Sequence, residues 1–167
     1  MTTPGYGVQN PSGQGHALGG QEHANFSYAG AAGGLLVLIG SFLAWVKAEA
    51  GGESETVKGM DGDGVFTLIA GIAAIALFLA GVFMQKAIVS AIGAAPGVIA
   101  LIFAVLNFAD TERLVKAKLE DDGASSSQAE KFASQLDISA SFGLYIVLIG
   151  ALVATVAGVL VFLKARR

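Results

Sequence analysis

The residues best equipped for chemistry in this chain of 167 are the carboxylates of Asp61-Gly62-Asp63-Gly64, whose alternation with glycine resembles a calcium loop. With Gly64 set at the invariant glycine of an EF-hand, the first ligand position falls on Gly59 and the twelfth on Ala70. Neither side chain has an oxygen to give, so the EF-hand reading fails and weak divalent binding by the acidic loop is left as the lesser alternative. A helix cap is the better account. Asp63 precedes a long apolar run, its oxygens can accept from the N–H groups of an opening turn, and its charge suits the positive end of a helix. His16 and His23 lie in a polar tail, and there is no cysteine to make a thiolate, a disulfide or a Cys metal site. The loops hold no His, so carboxylates and lysines are their only acid–base groups. No catalytic residue, cofactor site or metal site is expected, and the chain is not expected to be an enzyme.

The elements that must position these residues are four uncharged apolar stretches, residues 29–46, 64–84, 87–109 and 142–163, each about long enough to cross a bilayer as a helix. With 54% apolar residues the chain is too hydrophobic for an ordinary soluble domain. The expected fold is an all-α membrane protein, an antiparallel bundle of four transmembrane helices with a small cap built from the two longer loops, 47–63 and 110–141. Residues 1–27, rich in Gly, Gln and Ser, are expected to be a disordered tail, the remainder, 28–167, forming the membrane domain. No Lys or Arg precedes residue 29, which argues against a secretory signal despite the cleavage-like Ala48-Glu49-Ala50.

Lys86 in the short middle link and Lys164, Arg166 and Arg167 after span four place the middle link and both termini in the cytoplasm. Lys47, Lys58, Arg113, Lys116, Lys118 and Lys131 in the other loops oppose this orientation by bare count. The tight C-terminal cluster and the basic middle link carry more weight.

Gly51-Gly52 separates two segments that can pair as a hairpin, Trp45 to Ala50 and Glu53 to Val57, with Val46 opposite Val57 and Trp45 opposite Lys58. The same residues also fit an irregular acidic loop, because Ala and Glu are poor strand formers. In the second loop the Glu112–Lys116 spacing and the apolar positions Leu114, Val115 and Leu119 predict that span three runs on as one helix from Ala87 to Asp121, roughly 50 Å at 1.5 Å per residue. Ser127 and Glu130 form a capping box for a second short helix in which Ala129, Phe132, Ala133 and Leu136 share a face. The second loop is therefore expected to be a helical hairpin.

Small residues recur at alternating steps of three and four along every span, the spacing that keeps one face toward a neighbour in a left-handed bundle. Span one gives Gly30, Gly33, Val37, Gly40 and Ala44; span two gives Thr67, Gly71, Ala74, Phe78 and Gly81. Span three gives Ser90, Gly93, Gly97, Ala100, Ala104 and Asn107; span four gives Gly143, Val147, Gly150, Ala154 and Ala157. Gly93, Gly97, Ala100, Ala104, Gly150 and Ala154 are the expected helix-packing residues. Pro96 removes the hydrogen bond to the Ile92 carbonyl and is expected to kink span three. Trp45, Tyr28 and Tyr145 flank spans and are expected to be aromatic anchors at the bilayer surface.

No Asp, Glu, Lys, Arg or His lies within a span, which argues against an ion-coupled transporter. Ser41, Thr67, Ser90 and Thr155 are expected to bond carbonyls one turn back, and Asn107 to make an interhelical or interfacial bond. Membrane lipids, other membrane proteins or further copies of this chain are the expected partners, and no basic patch suggests nucleic acid.

Gly40-Ser41-Phe42-Leu43-Ala44-Trp45, followed by a polar loop ending Gly59-Met60-Asp61-Gly62-Asp63-Gly64, resembles small tetraspan membrane proteins of high-GC Gram-positive bacteria that have no assigned activity. That resemblance implies a plasma-membrane location and carries over no catalytic residue. The topology is similar to claudin-like tetraspans, but the paired loop cysteines and Gly-Leu-Trp signature of claudins are absent. The function expected is a non-enzymatic structural or accessory role through helix and loop contacts. The alternative is a pore or small-molecule carrier formed by oligomers.

Overall fold

The structure, a computed structural model, describes residues 12–166, with side chains from His23 onward. Four of its helices, or helix pairs, are long and apolar enough to span a membrane: His23–Phe42, Gly64–Phe83, Ala87–Ala109 and Phe142–Ala165. In chain order the elements are α1 (Ser12–Phe42), β1 (Ala44–Ala50), β2 (Glu53–Lys58), a single 3-10 turn at Gly59–Asp61, α2 (Gly64–Phe83), α3 (Ala87–Ile92), α4 (Ala94–Ala109), α5 (Thr111–Asp121), α6 (Ser126–Ala133), β3 (Asp137–Ala140) and α7 (Phe142–Ala165).

The helices close a ring. α1 packs along α7 and α2, and α3 and α4 pack against the same two helices from the opposite side. Chain order makes each neighbour antiparallel, so β1 to β3, α5 and α6 all gather at one end, the cap end. Glycines set the closest approach: a Cβ on Gly33 would lie 2.7 Å from the Gly150 carbonyl oxygen, and one on Gly150 2.7 Å from that of Gly33. Where lipid gives no hydrophobic drive for association, such backbone contact supplies the dispersion that holds helices together. The interior is filled by Val37, Phe78, Leu144, Val147 and Ala154, each at most 1% exposed.

Three boundaries differ from expectation. Residues 12–27 are helical and continue α1, so the expected tail is corrected over that stretch; residues 1–11 lie outside the described residues. A helix already nucleated in the span extends at little cost per residue. Ser27, wholly buried, donates to the His23 carbonyl one turn back at 3.0 Å. Span one ends at Phe42 rather than 46, because Leu43–Val46 turn into β1. The expected continuous helix from 87 to 121 is broken twice. Gly93 interrupts it beside Ile92, the residue whose carbonyl Pro96 leaves without a donor. Asp110 (φ −135°, ψ 79°) ends it again, and its side chain then accepts from the Arg113 N–H at 3.1 Å to open α5.

The cap holds a three-stranded antiparallel sheet in the order β2-β1-β3. Gly51 (φ 58°) and Gly52 (φ 92°) make the left-handed pair that a two-residue hairpin needs. Val46 does pair with Val57, but Lys58 stands opposite Ala44, not Trp45: a bulge leaves Trp45 unmatched. β3 was not anticipated. The apolar face of the sheet, with Val46, Ala48 and Val57, shares a core with Leu114 and Val115 of α5 and Ala133 of α6. α6 opens at Ser125, whose N–H donates to Gln128 Oε1 at 3.0 Å, two residues before the expected box at Ser127 and Glu130. Phe132 is 58% exposed rather than sharing the buried face of Ala129 and Ala133.

Candidate functional site at the cap end

Where the bundle meets its cap, polar and aromatic groups are concentrated among backbones held close by glycine. Trp45, expected at the bilayer surface, is instead wholly buried, and its ring N–H donates to the Gly40 carbonyl at 2.9 Å. The bulge in β1 turns the indole inward, onto the end of α1. Gly59 leaves it room, since a Cβ there would lie 2.5 Å from the ring.

Below the indole, Ser41 and Thr67 join α1 to α2 at 2.8 Å. Ser41 also reaches the Val37 carbonyl (2.8 Å) and Thr67 the Gly64 carbonyl (2.9 Å). Two hydroxyl hydrogens thus serve three contacts, and one of the two carbonyls is released whenever the hydroxyls bond each other.

Asp63 does not cap its own helix with its side chain. Its carboxylate turns to α4 and α5, where it pairs with Arg113 and accepts from Asn107 Nδ2 at 3.2 Å. Asn107, fully buried, also donates to the Phe103 carbonyl at 2.8 Å, while its Oδ1 has no partner. The start of α2 is in this way tied to both sides of the Asp110 break. Asn107 was legible as an interhelical group, being the amide within a span; Arg113, distant in sequence and reading as an ordinary loop cation, gave no signal.

Gly93, Pro96, Gly97, Ala100 and Ala104 on α3–α4 and Gly150 and Ala154 on α7 are buried between helices. Tyr145 is 46% exposed and meets Phe108 edge-on at 5.4 Å. At the opposite end, Gln85 (φ 54°) closes α2, with the Lys86 N–H bonded to the Gly81 carbonyl at 2.9 Å. Lys164 lies over the Phe26 ring at 4.8 Å and Arg166 over Phe162 at 4.1 Å.

Among the described residues no group of three or more His, Cys, Asp or Glu is placed to hold a metal ion. What the cap end offers chemically is an ion pair, hydrogen-bonding backbone and a polar sheet face. Residues 27–167, the cap and all of the bundle but the first part of α1, match the family model described as tryptophan-associated transmembrane protein. The chain belongs to this family. As a tryptophan-associated transmembrane protein it is a multi-pass membrane protein, with four membrane-capable helices carrying the sheet and two short helices at one end. The family match begins at Ser27, the first fully buried residue among the described side chains of α1. No curated protein and no solved structure matches the chain.

Proposed function

We propose that the chain is a non-enzymatic accessory protein of the plasma membrane that binds other membrane proteins through its cap and the flanks of its bundle. The observation that carries this reading is the way the cap is mounted. A sheet with one polar, solvent-facing side is fixed to the bundle by a buried indole and by an apolar core shared with α5, which Asp63–Arg113 in turn ties to α2. A surface held so firmly suits recognition, because little ordering remains to be done on binding. Phe66, Phe108, Phe142 and Tyr145, all exposed near the cap end, suit lipid at the interface. In this reading Lys86, Lys164 and Arg166 face the cytoplasm and the cap faces outward.

An oligomeric pore or carrier is the second reading, and the filled bundle interior counts against it for a single chain. Co-isolation from native membranes in a lipid-preserving polymer, with mass spectrometry of the intact particle, tests the proposal. A stoichiometric foreign membrane protein supports it; a monomeric, solitary chain overturns it. A pure homo-oligomer would favour the pore, with ion flux in liposomes as the next measurement. The family's description makes free tryptophan a probe to add in each assay.

A further inference from the structure

β1 lies in the middle of the sheet, and its backbone alternates between its two neighbours. The Trp45 carbonyl accepts from the Ser141 N–H at 2.7 Å, and Lys47 and Glu49 stand opposite Ser139 and Asp137, so the odd-numbered residues of β1 serve the β3 side. Val46, Ala48 and Ala50 therefore serve β2, and their partners Val57, Glu55 and Glu53 turn back toward β1. Ser54 and Thr56 are left pointing their N–H and C=O groups outward, away from the sheet. The next outward residue, Lys58, gives its N–H to Asp61 Oδ2 at 3.1 Å. The edge is thus closed beside the bundle and open over Glu53–Thr56, where every residue is exposed.

Charge selects the occupant. A second copy pairing antiparallel through Ser54 and Thr56 would set Glu55 opposite Glu55 of that copy. Pairing centred on Ser54 would set Glu53 opposite Glu55, and pairing centred on Thr56 would need the Lys58 N–H that Asp61 already holds. Like charges directly opposite each other disfavour the first two registers. Beside the hairpin turn an open cleft of about 490 Å³ is lined by Lys47, Glu49, Glu53, Ser54 and Asp137, and because Lys47 pairs with Glu49 its net charge comes from Glu53 and Asp137.

We propose that the free edge of β2 takes an extended, basic segment of a partner protein, added as a fourth strand with Lys or Arg opposite Glu55. The proposal rests on the accessory reading above and names the surface and the partner chemistry.

The test uses the full chain in zwitterionic lipid nanodiscs and a short isotope-labelled peptide alternating threonine and arginine, with a threonine–glutamate peptide as its counterpart. Saturable binding of the arginine peptide is expected, with its labelled amide band moving into the β-sheet range. Thr56→Pro removes an outward N–H and leaves the bonds to β1 in place, so it should weaken binding about tenfold or more. Glu55→Lys, which alters no backbone group, should transfer the preference to the glutamate peptide and decides the matter if the proline variant misfolds. Binding without a β-sheet band, a preference unmoved by Glu55→Lys, or no binding of either peptide overturns the proposal. Co-isolation of the wild type and Thr56→Pro separates this inference from the reading beneath it. A partner retained by both overturns the edge alone, whereas a solitary wild-type chain overturns both.

Discussion

Asp63 at the start of α2 holds Arg113 of α5 across a separation of 50 residues, and the same carboxylate oxygen accepts from Asn107. The Asp63 side chain is 18% exposed and that of Arg113 50%, so the pair is half in water and its worth lies between that of a surface bridge and a buried one.

Asp63→Ala should therefore cost about 1–2 kcal/mol, mostly by leaving Asn107 short of a second partner. Chemical unfolding in mild detergent measures it. A double-mutant cycle with Arg113→Ala should return a coupling of about 0.5–1.5 kcal/mol, and additive single effects would mean that the pair contributes nothing.

Trp45 is the chain's one tryptophan, so fluorescence reports on it alone. Its emission should be blue-shifted and resist both acrylamide and brominated lipid, whereas an anchor at the bilayer surface would be quenched. Trp45→Phe keeps most of the bulk but leaves the Gly40 carbonyl with the Leu43 N–H, at 3.1 Å, as its remaining donor, for a cost of about 1 kcal/mol. Trp45→Ala should cost about 3–5 kcal/mol.

Glycine substitutions should rank by what an added methyl meets. At Gly150 it would lie 2.7 Å from the Gly33 carbonyl oxygen and 2.8 Å from the Val37 nitrogen, so the helices must part, at about 2–3 kcal/mol. At Gly97 the nearest atoms are the Thr155 nitrogen and hydroxyl at 3.0 Å, and a small shift suffices for about 1 kcal/mol. Thermal stability of Gly150→Ala and Gly97→Ala in one detergent gives the order; equal losses would deny that α1 and α7 touch through their backbones.

Gln85 occupies the left-handed region at φ 54°, the place after a helix where glycine carries no Cβ penalty. Gln85→Gly should raise stability by about 0.5–1 kcal/mol without altering the bond from the Lys86 N–H to the Gly81 carbonyl. A neutral or destabilising result would place the Gln85 side chain in a contact that offsets its strain.

The spans and their small-residue faces were legible because a helix repeats its environment every three or four residues, and a stripe of Gly and Ala from Gly93 to Ala104 keeps that period even across the Gly93 interruption. The cap was half legible. Gly51-Gly52 announced a turn and fixed Val46 against Val57, but an apolar window from 29 to 46 cannot tell the last turns of a helix from the first residues of a strand, so Trp45 was assigned to the wrong environment. β3 has only Ile138 and Ala140 as alternating apolar residues, too short a pattern to stand out, and its partner strand lies far back in the chain. The Asp110 break was hidden because apolar spacing continues through Leu106, Leu114 and Val115. Asp63 carries a cap's signature, and only the position of Arg113 in space shows where its charge is used.

The central place of β1 has a bearing on how the molecule is made. During synthesis the first hairpin is complete once Lys58 has emerged, yet β1 then has one side unpaired, and it stays so until α2, α3, α4, α5 and α6 have been made and Asp137–Ala140 arrive. The last strand precedes α7 directly, so the strand that completes the sheet and the helix that closes the ring are made one after the other. A chain stalled before Asp137–Ala140 would leave one side of β1 bare. The sheet and the ring of helices are therefore both completed by the C-terminal segment that carries β3 and α7.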